Sequence, residues 1–190
     1  MLVTIVLLAL ILVASLTDLL RHRIYNWTTY PGILAALCGN GIGEALLAAA
    51  KVEEGELQRL GWIGLGESLL GFLLCGFLML VCFVMLKVGG GDVKLMAMLG
   101  AFLGMDQGIT AMLWTFVLGA CMALIVLIWR VGANRLASRV FRQAVYTLRL
   151  GRWSPLTDEE RKQLQPPLFL APCAAVAVVI VRFQLADLFM

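Results

Sequence analysis

Charge is what this sequence has least of. Only 14% of its 190 residues are Asp, Glu, Lys or Arg, 62% are hydrophobic, and the mean hydropathy is +0.94. A soluble domain carries about a quarter charged residues and is near half apolar, so that class is excluded. Paired cysteines are also missing. Cys38, Cys75, Cys82, Cys121 and Cys173 each lie alone in an apolar run, with no CxxC. That pattern reads as small buried hydrophobes rather than a disulfide framework or a zinc site. No basic residue precedes the first apolar run; Arg21 and Arg23 follow it. A transmembrane helix fits that order better than a secretory leader.

What is present is a series of apolar runs, each near the roughly 20 residues that one helical crossing needs. They cover about 2–17, 27–50, 63–86, 92–105, 109–129 and 168–188. The expected fold is all-α: a polytopic bundle of six transmembrane helices forming one domain over 1–190. Asp106-Gln107-Gly108 is expected to be a tight outer turn, and Lys51 to Arg59 an outer loop. Residues 130–167 are polar, with eight basic residues against Asp158, Glu159 and Glu160. Leu136, Val140, Val145 and Leu148 recur there at helical spacing, which predicts an amphipathic helix against anionic lipid. With the N-terminus outside, 12 of the 15 basic residues face the cytoplasm, leaving Lys51, Arg59 and Arg182. The positive-inside rule therefore places both termini outside.

Val88-Gly89-Gly90-Gly91-Asp92-Val93-Lys94 puts three glycines and an acid between two apolar runs. An ionisable residue at the edge of a span is costly to bury and points to function. A second acid, Asp18, ends the first run in Thr17-Asp18-Leu19-Leu20-Arg21-His22-Arg23-Ile24-Tyr25-Asn26. An even number of crossings separates the two, so they share one membrane face. Paired carboxylates hold one proton between them, and can activate water while polarising a peptide carbonyl. The plainer reading of Gly-Asp is a turn with an N-capping acid. Lys94 is read as orienting Asp92, binding substrate or snorkelling; Asn26 as pinning the connection near the site. Glu44 and Glu67 read as interfacial acids, and Arg182 with Asp187 as an outer ion pair.

Asp18 followed by Arg-x-Arg-Ile-x-Asn, then Gly-x-Gly-Asp-x-Lys and a late Pro167-Leu-Phe-Leu-Ala-Pro172, resembles the type IV prepilin peptidases, Gly-x-Gly-Asp aspartyl proteases. The resemblance implies that Asp18 and Asp92 are catalytic, that Gly89, Gly91 and Lys94 are motif residues, and that no metal or cofactor is needed. It implies a prepilin or pseudopilin substrate, cut after glycine at the cytoplasmic face of the inner membrane. Lacking the cysteine-bearing cytoplasmic insertion of larger members, the chain resembles the short form associated with tight-adherence (Flp-type) pili, for which N-methylation is not expected. Residues 130–167 are a candidate platform for lipid or secretion machinery; no nucleic-acid partner is expected. Two alternatives stay open on residues alone. One is a signal-peptide-peptidase-like protease, against which Thr17 stands where a Tyr would precede the first acid. The other is a transport subunit, against which no second glycine break stands in a matching position.

Overall fold

A stripe of residues at helical spacing explains how the first helix sits in this computed structural model, which describes residues 2–21, 24–49, 54–86, 89–131, 138 and 170–185. Along α1 (Leu2–Arg21), Thr4, Leu7, Ile11, Ala14 and Asp18 are buried, while Ile5, Leu12, Val13, Leu16 and Leu20 are exposed. An apolar outer face suits a helix whose solvent is lipid. Asp18 thus continues an inward stripe and is itself only 7% exposed.

The described helices then follow in order: α2 (Asn26–Ala48), α3 (Glu54–Leu60), α4 (Leu65–Leu86), α5 (Gly90–Val131) and α6 (Leu170–Arg182). α1 packs on α6 and on α2, and α2 on α4. Small residues are buried on the packed helices: Ala14 on α1, Gly32, Ala36 and Gly43 on α2, and Ala171, Ala174 and Ala177 on α6. Between membrane helices, where lipid is as apolar as the side chains, close packing of small residues supplies much of the attraction. The closest approach is backbone to backbone. A Cβ on Gly71 of α4 would run into the carbonyl of Gly100 of α5, and one on Gly100 into Gly71.

The chain forms two compact units, Met1–Val117 with Phe169–Met190, and Leu118–Leu168. In the first, residues 95–104 of α5 are buried on every side, as expected of a helix apolar all round at the centre of a bundle. In the second, the described residues are α5 up to Val131 and Ser138; Leu124, Ile125, Ile128 and Trp129 are exposed.

Among the described residues, four helices are long and apolar enough to cross a membrane: Val3–Arg21, Asn26–Ala48, Leu65–Met85 and Gly90–Trp129. The last would be about 60 Å long if straight, twice the hydrocarbon thickness. It is not straight. Gly104 has φ 79° and ψ −172°, a conformation open in practice only to glycine. Beyond it Gly108 comes back against Gly100, so that a Cβ there would lie 3.1 Å from the Gly100 Cα. Positions eight apart in an unbroken helix stand about 12 Å apart. The chain therefore folds back at Gly104.

This corrects the expected turn at Asp106-Gln107-Gly108: those residues are helical, and the reversal falls at Gly104, a glycine one turn earlier. The outer loop is not all loop either, since α3 forms within it with Leu57 buried. Among the described residues, the last run is helical over Leu170–Arg182, 13 residues, before a turn in which Gln184 has φ 50°. The expected amphipathic helix over 130–167 lies outside the described residues apart from Arg130, Val131 and Ser138, as do His22, Arg23, Lys51, Pro167 and Asp187.

Candidate active site

Three helix ends and one connection meet around Asp18. The carboxylate lies one turn from the end of α1, and the backbone N–H of Ala171, in the first turn of α6, donates to its Oδ2 at 3.4 Å. Pro172, next in that turn, lacks an N–H but sits where a helix has no use for one. Cys173 lies near enough to feel the Asp18 charge. Asp18 is therefore held inside the bundle and served by the amide-rich end of a neighbouring helix, where negative charge is favoured.

Asp92 arrives from the other direction. α5 begins at Gly90, so Asp92 is its third residue and not an N-cap; its N–H donates to the Gly89 carbonyl at 3.0 Å. The carboxylate folds back over Gly89, where an added Cβ would lie 2.9 Å from Oδ2. A Cβ on Gly91 would lie 3.0 Å from the Ile24 Cβ and 3.5 Å from its carbonyl oxygen. The two motif glycines thus have separate uses. Gly89 leaves room for the carboxylate, and Gly91 lets α5 dock on the connection between α1 and α2. With the helix start seated there, the Asp18 and Asp92 carboxyl groups are close enough to interact electrostatically.

Lys94 and Asn26 complete the seating. Lys94 Nζ donates to Asn26 Oδ1 at 2.8 Å and lies 4.8 Å from the centre of the Tyr30 ring. Snorkelling alone would carry the ammonium away from the bundle; here it bridges the first turn of α5 to the first turn of α2. Arg21 is similarly held by Tyr25, whose hydroxyl accepts from Nη1 at 3.0 Å. Ile24, Tyr25, Tyr30 and Ala171 were not legible as contributors. Their aromatic or apolar character gives no sign, and only the Asn26–Lys94 pairing across 68 positions of sequence reveals Tyr30 as part of the cluster.

Among the described residues, two buried hydroxyls, Ser15 Oγ and Thr29 Oγ1, have no hydrogen-bond partner. Ser15 is one turn before Asp18, and Thr29 one turn after Asn26. Among the described residues, no three of His, Cys, Asp and Glu are grouped so as to hold a metal ion.

Residues 5–124 match the model of the type IV leader peptidase family. The chain belongs to the type IV leader peptidase family. The match covers well over half of the sequence and takes in Asp18, Asn26, Gly89, Gly91, Asp92 and Lys94. It stops short of α6, so the Ala171 amide on Asp18 comes from the structure and not from the matched segment. No curated protein and no solved structure matched the chain. Family membership makes this a protease of the leader-peptidase kind with a prepilin-type substrate in general, and its long apolar helices are those of a membrane protein.

Proposed function

We infer that this chain is an aspartic endopeptidase of the inner membrane that removes prepilin leaders, with Asp18 and Asp92 as its catalytic pair. The observation that carries the reading is the meeting of these acids. Two carboxylates from helix ends far apart in sequence are brought within electrostatic reach, in a chain with little charge to spare. Such a pair shares a proton. The ionised member takes a proton from water as the water attacks the scissile carbonyl, and the protonated member donates to the carbonyl oxygen. Collapse of the tetrahedral intermediate then breaks the C–N bond and protonates the leaving amine.

Six spans fit this reading, counting α5 as two segments on either side of Gly104 and the last run as the sixth. By sequence count, a six-span chain carries 12 of its 15 basic residues on the side of the two acids, which supports a cytoplasmic position for the acids and both termini outside. A leader cut after glycine, next to a pilin's hydrophobic helix, reaches the acids at that face. The Lys94–Asn26 bridge positions the start of α5, and hence Asp92, against α1. The absence of a cysteine-bearing insertion favours a short-form peptidase without N-methyltransferase activity, serving Flp-type pilins.

Co-expression with a Flp-type prepilin tests the reading. Wild type should shorten the prepilin, while Asp18→Asn and Asp92→Asn chains of equal abundance leave it full length. Processing by either variant would rule out the paired mechanism.

A further inference from the structure

At the end of α1 away from Asp18, the bundle contains an apolar cavity of about 280 Å³. Val3 of α1, Gly39 of α2, Leu57 and Leu60 of α3, Trp62 and Phe102 contribute to its wall. Val3 and Asp18 are 15 residues apart on one helix, about 22 Å, so the cavity belongs to the opposite membrane face and is no part of the acid cluster. Its polar neighbours are already occupied. Asn40 donates from Nδ2 to the Ala36 carbonyl and accepts the Ile63 N–H at Oδ1, while its backbone oxygen takes the Trp62 indole N–H. An interior this apolar suits a hydrocarbon occupant and not water.

A cation stands beside it. Arg182, at the end of α6, donates from Nε to Thr4 Oγ1 at 2.9 Å and from Nη1 to Gln107 Oε1 at 3.2 Å. Its Nη2 lies 3.0 Å from the Cβ position of Gly61, and the Val3 Cβ lies 3.2 Å from that same point. Gly61 is flanked by the wall residues Leu60 and Trp62. Both of these acceptors are neutral, and among the described residues no carboxylate meets the guanidinium. A positive charge at the rim of a hydrocarbon-lined hollow is complementary to a phosphate bonded to an acyl chain.

We propose that this cavity is a binding site for one acyl chain of an anionic phospholipid of the outer leaflet, with its phosphate on Arg182. The occupant ties α3 to α1 and α2 at that face. It leaves the acids at the other face untouched, so the site stands or falls separately from the peptidase reading.

The test uses the full-length chain in mild detergent with dioleoylphosphatidylglycerol or dioleoylphosphatidylcholine, with bound lipid counted by native mass spectrometry. Wild type should retain one phosphatidylglycerol per chain and bind the phosphatidylcholine at least about tenfold more weakly. Gly39→Leu places a side chain where nothing lies within 4 Å of the added Cβ, and should cut retention about tenfold with helical content unchanged. Arg182→Gln should bring the two lipids to equal affinity. Wild type that retains no phosphatidylglycerol overturns the proposal without recourse to any variant. Full retention by a folded Gly39→Leu chain overturns the chain-binding site. An unchanged lipid preference in Arg182→Gln overturns the phosphate assignment.

Discussion

The two ends of α1 carry polar groups in opposite states. Near Thr4 they are used up: Thr4 accepts from Arg182, Arg182 also reaches Gln107, and Asn40 makes contacts with all its polar faces. Near Asp18 capacity is left over. Ser15 and Thr29 are buried with no partner among the described residues, and two carboxylates lie within electrostatic reach of each other. An unsatisfied buried hydroxyl costs about 1–3 kcal/mol, so an end built only for stability would resemble the first. The difference separates an end whose polar groups are paired from one that holds two acids and two buried hydroxyls with no partner among the described residues.

The sharpest way to break that contrast is at the acids. Asp18→Asn should lower the rate of leader cleavage at least about a thousandfold, roughly 4 kcal/mol on the barrier, while the thermal midpoint in detergent falls little. A large loss of stability with cleavage retained would make Asp18 a structural residue. Next in size is the seam joining the ends. Gly100→Ala forces a methyl group into the Gly71 backbone and should cost about 2–3 kcal/mol, read as a drop in unfolding midpoint with matching loss of abundance. The saturated end is probed by Asn40→Ala, which strands the Ile63 N–H and should cost about 2 kcal/mol; cleavage per folded molecule should be unchanged.

A smaller effect separates positioning from mere attachment at the acid end. Lys94→Met and Asn26→Ala, singly and together, should show a coupling energy of about 0.5–1 kcal/mol in cleavage rate, with far less in stability. Independent effects would mean that the bridge does not place Asp92. A change of opposite sign comes last: Thr29→Val should raise stability by about 1 kcal/mol, because it removes a buried hydroxyl that has no partner among the described residues. A large destabilisation would show that the hydroxyl is satisfied in the working protein.

Much of this was readable along the chain, for a physical reason. In a bilayer each spanning segment must satisfy its own backbone hydrogen bonds, so a helix announces itself by local composition. The expected runs 27–50 and 63–86 agree with α2 and α4 to within a few residues. Asp18 and Asp92 stood out for the same reason, since an acid at a span edge is conspicuous where charge is scarce. The turn was misplaced because Asp106-Gln107-Gly108 looks polar and flexible, whereas the backbone needed one residue able to take φ 79°, and Gly104 supplied it in an apolar context.

By itself, then, the sequence determined a set of long apolar helices, an acid at the end of one and at the start of another, and the glycines beside the second. Those are properties of single segments and their order. Only the tertiary structure decided that α6 presents its Ala171 amide to Asp18, that Gly91 seats α5 on Ile24, that Lys94 reaches Asn26, and that Arg182 borders an apolar hollow. Each depends on where a helix stops and what stands beside it, and helix packing sets both through contacts between residues remote in the chain.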